Sequence, residues 1–216
     1  MLNLTWLKQN DKTFPEVIEP VNEQGLFAAG GDLSPERLKN AYSSGIFPWF
    51  PFRSKILQWY CPQDRFVIFP EKIHVSHSMR TLMNSGIYKC SVNEAFADVI
   101  YNCARAQDRD REAYAWLGPQ MMNAYVELHN LSLASSVEVW HDDVLVGGLY
   151  GVTVNGCFMG ESMFSLQPSA SKMALIHLAR TLKPKFIDCQ FETPHLLSMG
   201  GEHITYSEYM KILREK

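Results

Sequence analysis

The chain lacks the cysteine pattern of a disulfide-bonded or zinc-binding protein. Its cysteines are odd in number, widely spaced and without a C-x-x-C pair: Cys61, Cys90, Cys103, Cys157 and Cys189. This arrangement favours a reducing compartment. His74 and His77 stand three residues apart without an evident third ligand, so we expect no metal and no other cofactor.

Long apolar runs are also missing. No stretch reaches the roughly 18 apolar residues of a membrane span, and the first residues lack a basic leader followed by a long apolar core. We therefore expect a cytoplasmic protein without a membrane partner.

The chain has no basic excess, since 20 Lys+Arg stand against 23 Asp+Glu. Proteins that grip long nucleic acids usually carry a marked positive charge, because phosphate neutralisation supplies much of the affinity. Any RNA contact is therefore expected to be local. Arg105, Arg109 and Arg111 form a short basic run diluted by Asp108 and Asp110, which suits either a solvated loop or a phosphate contact.

Common catalytic signatures are absent: there is no G-x-S-x-G, no H-E-x-x-H and no Walker loop. Gly30-Gly31-Asp32 lacks the spacing of a dinucleotide-binding loop and is interpreted as a turn. The chemistry must be sought in less familiar combinations of residues.

What the chain does have is enough apolar material for a substantial core, with 216 residues of which 46% are hydrophobic. The first third is rich in Pro, Gly and aromatic residues, which limits long elements. We therefore predict a small irregular N-terminal domain over 1–64 and a larger domain over 65–216. One short helix is expected between Ser34, as N-cap, and Gly45.

The larger region alternates helix and strand patterns. Strands are predicted at 65–69, 135–140, 144–154, 157–164 and 186–190, and helices at 76–84, 93–106, 120–129, from 169 to Pro184, at 195–199 and after Ser207. Asn155-Gly156 between two β-rich runs is a strong hairpin signal. The pattern predicts an α+β class with a mixed, largely antiparallel sheet.

Glu161 is an acidic residue in a strand of neutral residues. Strand alternation places Glu161 with Met163 on one face, and Ser162 with Phe164 on the other. A carboxylate on an apolar face needs a partner. A solvent-exposed edge position or a purely structural hydrogen bond is the alternative.

Asp188 and Gln190 stand two apart in the last predicted strand, so alternation points both the same way. An ionised Asp188 that accepts from the Gln190 amide would orient its carbonyl oxygen toward an amine. Asp188 could equally cap a neighbouring loop.

Several aromatic residues of the first 120, among them Trp49 and Trp116, are suited to stack on a base or to line an apolar pocket. A distinctive order of motifs begins with Gly30-Gly31-Asp32-Leu33. That order continues with Tyr42, 45–49, 160–164, Ala170-Ser171-Lys172, 188–190, His195-Leu196 and 198–200. Over nearly the whole chain it resembles the leucyl/phenylalanyl-tRNA-protein transferase family.

The resemblance implies an aminoacyltransferase that moves Leu or Phe, and less readily Met, from aminoacyl-tRNA to proteins beginning with Arg or Lys. It implies that the product is marked for degradation by the N-end rule and that the larger domain is GNAT-like (acetyltransferase-like). We also expect a monomer. An acetyl-CoA-dependent N-acetyltransferase and a non-catalytic RNA- or peptide-binding module are the alternatives.

The resemblance also implies roles for single residues. Asp188 and Gln190 would form the catalytic pair, and Glu161 would hydrogen-bond the aminoacyl-adenosine end, beside Ser162. Phe158 and Met163 would line the pocket for the transferred side chain. Trp49 and Trp116 would flank the adenosine or the pocket entrance.

Overall fold

The computed structural model describes residues 4–16, 22, 24–50, 56–108 and 117–215. Trp116, Arg109 and Arg111 lie outside these ranges, so their predicted roles stay predictions.

The first third contains an ordered sheet rather than the irregular structure that its composition predicts. Its four strands are β1 (Thr5–Leu7), β2 (Leu26–Gly30), β3 (Phe47–Trp49) and β4 (Gln58–Tyr60), in the order β1-β2-β4-β3. Helix α1 (Pro35–Ser43) follows β2. Three-residue strands are too short to show alternation, and Pro48 is tolerated because β3 lies at the sheet edge.

The remaining strands form a seven-stranded sheet in the order β11-β5-β10-β9-β8-β7-β6. The strands are β5 (Asp64–Ile68), β6 (Lys89–Val92), β7 (Ala134–His141), β8 (Val144–Val154), β9 (Cys157–Ser165), β10 (Ile187–Asp188) and β11 (Glu202–Thr205). Only the β9–β10 pairing is parallel. The predicted α+β class with a mixed sheet is confirmed.

Helices cover both faces of this sheet. They are α2 (His77–Ser85), α3 (Phe96–Asp108), α4 (Pro119–Asn130), α5 (Ala170–Thr181), α6 (Pro194–Ser198) and α7 (Tyr206–Arg214), with a short 3-10 turn at Pro70–Lys72. One buried cluster joins α1, α3, α4 and α7 to one face, and a second joins α5 to the other. No helix within the described ranges has the length and apolarity that a membrane span requires.

Most predicted elements differ from the structure by one to three residues at their ends, and α3 and β10 are two examples that change the position of a predicted residue. Helix α3 begins at Phe96 rather than Asn93, because Asn93 has φ 63° and its side chain accepts from the Ser136 N–H instead of capping the helix. Strand β10 ends at Asp188 instead of Gln190. The predicted domain boundary falls at the start of β5 and stays a prediction.

Candidate active site

Glu161 occupies a β-bulge. Tyr150 of β8 pairs with Ser162, while the next residue, Gly151, pairs with Gly160, so Glu161 is the extra residue of β9. A bulge re-aims side chains and interrupts the regular alternation of a strand.

The bulge corrects the predicted sharing of faces. Met163 packs in the cluster on the α5 side, whereas the Glu161 carboxylate reaches Tyr42 and Tyr125 in the cluster on the opposite side. Alternation alone would have kept Glu161 with Met163. The prediction of a buried carboxylate that needs a partner is confirmed, since Glu161 is only 8% exposed.

The Glu161 carboxyl group and two tyrosine hydroxyl groups contact one another in a closed ring. Tyr42 donates to Oε1 at 2.7 Å, Tyr125 donates to Oε2 at 2.5 Å, and the two tyrosine oxygens lie 2.8 Å apart. Burial raises the pKa of Glu161 to about 7, against the lowering effect of the two tyrosine hydrogen bonds. Burial and the Glu161 charge raise the pKa of both tyrosines well above the usual value.

The protonation state of Glu161 decides how many hydrogen bonds this ring holds. Two tyrosines that donate to an ionised Glu161 have no hydrogen left to place between their own oxygens. When Glu161 is protonated, its carboxyl group donates to one tyrosine hydroxyl. That hydroxyl donates to the second tyrosine, and the second tyrosine donates to the other oxygen of Glu161, so all three contacts are hydrogen bonds. The geometry therefore accommodates a proton on the carboxyl group.

Asp188 is fully enclosed by partners. Its carboxylate forms an ion pair with Arg65 and accepts from the Tyr209 hydroxyl at 2.9 Å. Arg65 is itself buried, donates to the Gly45 carbonyl oxygen at 2.7 Å and lies 4.4 Å from the Tyr209 ring centroid. Although burial opposes the charge, the Asp188 carboxylate raises the pKa of Arg65 above its ordinary value.

Gln190 lies in a strained turn directly after β10. Its φ of 63° is in the left-handed region, and the Phe191 N–H donates across it to the Cys189 carbonyl at 2.7 Å. The Gln190 backbone N–H donates to Asp188 Oδ1 at 2.8 Å. Holding a non-glycine residue in the left-handed region costs conformational free energy, and such residues are enriched at functional sites.

This turn corrects the predicted pairing of the two side chains. Asp188 accepts from the backbone N–H of Gln190, while the Gln190 side-chain amide points to Glu161 Oε1 at 3.4 Å. The predicted proximity of Asp188 and Gln190 holds, but Asp188 orients Gln190 through the main chain.

Two cavities meet at Glu161. The first, of about 220 Å³, has an apolar wall that includes Phe158, Met163 and Ile187, and it also borders Ser162. The second, of about 90 Å³, is bordered by Trp49 together with Phe47, Pro48 and Phe191, and by Gln190. The structure thus brings together every predicted site residue within the described ranges.

Sequence reasoning missed several groups at the site. Tyr42 appeared only as part of the motif order, and Tyr125, Arg65 and Tyr209 were not selected at all. Each comes from a different element, so no local spacing could have linked them. His195 borders the apolar cavity, where burial lowers its pKa and its Nε2 atom has no hydrogen-bond partner.

Metal ligands are not gathered anywhere in the described ranges: no three His, Cys, Asp or Glu side chains lie close enough together to hold an ion. The polar groups at the two cavities include the carboxylates of Glu161 and Asp188, the amide of Gln190, the imidazole of His195 and several hydroxyl groups. Such groups orient and exchange protons with a substrate.

Comparison with known proteins gives a consistent result over nearly the whole chain. Residues 67–214 match the model of a family described as leucyl/phenylalanyl-tRNA protein transferase, and residues 31–63 match the model of that family's N-terminal domain.

Individual relatives agree with the family models. A leucyl/phenylalanyl-tRNA–protein transferase of Flavobacterium johnsoniae is 47% identical over 209 residues, which cover 95% of this chain and 97% of the relative. The protein of the same name from Nitrosomonas eutropha is 44% identical over 94% of this chain and 88% of its own. A solved structure of a conserved protein from Bacteroides thetaiotaomicron, 10% identical, has a TM-score of 0.46 over 70% of this chain and 55% of its own, too low to carry an argument.

Proposed function

The chain belongs to the leucyl/phenylalanyl-tRNA protein transferase family, and on that premise we propose that it moves Leu or Phe, and less readily Met, to the N-terminal Arg or Lys of proteins. Membership makes the chain an enzyme that aminoacylates proteins from aminoacyl-tRNA. The modified proteins then enter degradation by the N-end rule. An acetyl-CoA-dependent N-acetyltransferase has no support among the relatives.

The observation that carries this proposal is that Glu161 borders both cavities, with Gln190 beside it in the second. In the proposed complex, the apolar cavity receives the transferred side chain, because Phe158 and Met163 offer hydrocarbon and thioether surface suited to Leu, Phe or Met. The reactive ester then lies where the cavities meet.

The second cavity is proposed to receive the terminal adenosine. Trp49 borders it and offers an aromatic face of the kind on which bases stack. Ser162, at the edge of the first cavity, and Trp116, outside the described ranges, are proposed to contact the aminoacyl-adenosine end as well.

Asp188 and Gln190 are proposed to position the attacking amine. The aminoacyl ester is already activated, so orientation supplies much of the rate. Gln190 accepts a hydrogen bond from the acceptor α-amine, and Asp188, fixed by Arg65 and Tyr209, holds the turn that presents Gln190.

The remaining proposals concern the molecule as a whole. They are a small N-terminal domain over 1–64, a GNAT-like domain over 65–216, a monomeric state and a cytoplasmic location. Gel filtration of the purified chain tests the monomer.

The function is tested by incubating the protein with radiolabelled Leu-, Phe- and Met-tRNA and peptides that begin with Arg, Lys or Ala. Transfer to the Arg and Lys peptides, but not to the Ala peptide, is expected. Binding of Phe-tRNA without a new peptide bond would instead indicate a non-catalytic module. Asp188→Asn should lower transfer per folded molecule and also lower stability, because Arg65 loses its counter-charge. Unchanged transfer would exclude the proposed role of Asp188.

A further inference from the structure

We propose that Glu161 takes the proton from the attacking amine and delivers it to the leaving ribose oxygen, with Tyr42 and Tyr125 as positioning residues that share the proton. This inference rests on the proposed function and assigns a step that Gln190 cannot perform. An amide side chain accepts a hydrogen bond but is not a base near neutral pH.

Position singles out Glu161 for this step. Among the described ionisable side chains, it is the one that borders both cavities. Gln190, which orients the amine, lies within hydrogen-bond distance of it. A general base must lie close to the proton that it removes, directly or through one water.

Other ionisable groups at the cavities are less suited. The Asp188 carboxylate is occupied by Arg65, Tyr209 and the Gln190 N–H. Cys189 and His195 border only the apolar cavity, and burial raises the pKa of the Cys189 thiol.

The surroundings hold Glu161 ready to exchange a proton near neutral pH. The titratable or charged groups that face it are Tyr42 from α1, Tyr125 from α4, Tyr150 from β8, Asp188 from β10 and Arg65 from β5. Burial is the largest influence and raises the pKa of the carboxyl group to about 7. A base with such a pKa is poised for catalysis at neutral pH.

The step balances as follows. The neutral acceptor amine attacks the ester carbonyl carbon, a C–N bond forms, and the amine proton passes to the Glu161 carboxylate. The C–O bond to the ribose then breaks, and the same proton moves from Glu161 to the leaving oxygen, which departs as a hydroxyl. The two tyrosine hydroxyl groups stay in contact with Glu161 throughout the step, because a hydroxyl can donate to the carboxylate and accept from the protonated carboxyl group.

The test is the pH dependence of kcat/KM for transfer from Phe-tRNA to an Arg-starting peptide. Glu161→Gln should lower kcat/KM by roughly 100-fold or more, the range of general acid–base catalysis. It should also remove one of two ionisations from the acid side of the profile and leave that of the acceptor amine. A glutamine keeps one donor and one acceptor for the tyrosine ring, so the fold should be retained.

The variants Tyr42→Phe and Tyr125→Phe test whether the tyrosines set the ionisation of Glu161, which a purely structural role of these residues would not require. Each removes a hydrogen bond that lowers the pKa of Glu161, so the Glu161 ionisation should move to higher pH. Matched controls are Tyr101→Phe, at an exposed residue of α3, and Glu138→Gln, at a buried carboxylate of β7 outside both cavities. Neither control should move that ionisation.

Transfer by Glu161→Gln within about twofold of the unmodified chain, with the same profile, would overturn this proposal alone. Absence of transfer by the unmodified chain would overturn the proposed function and this inference with it. If Glu161→Gln fails to fold, the tyrosine variants decide: a profile that moves in neither one overturns the proposal.

Discussion

At the scale of single residues, the Arg65–Asp188 ion pair is the most costly feature to disturb. Removing one partner of a buried ion pair leaves an uncompensated charge, at a cost of about 3–5 kcal/mol. Arg65→Met should therefore lower the free energy of unfolding by that amount, measured by urea denaturation. Arg80→Met, at an exposed position of α2, should change it by less than about 0.5 kcal/mol. Equal effects of the two substitutions would contradict the structural account of Asp188.

Glu161 predicts a pH dependence of stability. Its pKa is raised from 4.5 to about 7, so the folded chain retains a proton that the unfolded chain releases between these values. Stability should fall as pH rises through this window, by about 3 kcal/mol in total.

Urea denaturation at intervals from about pH 4.5 to about pH 8 measures that slope. Glu161→Gln should remove the part of the pH dependence of unfolding free energy that comes from Glu161. Glu71→Gln, at an exposed residue, should leave that pH dependence unchanged. A slope that survives Glu161→Gln would assign the effect to other groups.

At this scale the sequence singled out the residues of the candidate site but not their geometry. Glu161, Asp188 and Gln190 stood out because each is polar within an apolar run. Two of their hydrogen-bond partners, Tyr125 and Tyr209, lie 36 and 21 residues away from Glu161 and Asp188, respectively. Such partners become visible only when the chain is folded.

At the scale of elements, the bulge between β8 and β9 determines the direction in which the Glu161 side chain points. A Cβ atom added to Gly151 would lie 2.2 Å from the Met159 carbonyl oxygen and 2.6 Å from the Phe158 ring. Gly151→Ala should therefore lower the free energy of unfolding by about 1–3 kcal/mol through overpacking. It should also lower transfer, because Phe158 forms part of the apolar cavity.

Thermal unfolding and a transfer assay at a permissive temperature separate these two effects. Gly118→Ala is the matched control, since among the described residues no atom beyond its chain neighbours lies within 4 Å of the added Cβ, and it should cost less than about 1 kcal/mol. A Gly151→Ala protein as stable and active as the control would exclude a tight packing requirement at the bulge.

Elements with strong local signals were predicted well. The strands at 134–141, 144–154 and 157–165 follow from alternation and from the Asn155-Gly156 turn. The bulge was missed because alternation assumes a regular partner strand. The two edge strands β6 and β11, of four residues each, were missed because they are short and half exposed.

At the scale of the whole molecule, the site depends on both sheets. The small sheet supplies Trp49, and α1, which follows one of its strands, supplies Tyr42. The large sheet supplies Glu161 and Asp188. Composition divided the chain into two regions, but it could not show that they share one site, because that depends on contacts between residues far apart in sequence.

A non-hydrolysable, amide-linked phenylalanyl-adenosine should therefore stabilise both regions. Ligand present at about 100 times its Kd raises the free energy of unfolding by about 2.7 kcal/mol. Hydrogen exchange should slow in β3 and β4 as well as in β9 and β10, because the adenosine is proposed to lie beside Trp49 and the phenylalanyl group beside Phe158 and Met163. Adenosine alone should protect mainly the small sheet. Protection by the full compound that is confined to one sheet would contradict a ligand that spans both cavities. If that sheet is the large one, the adenosine does not lie beside Trp49.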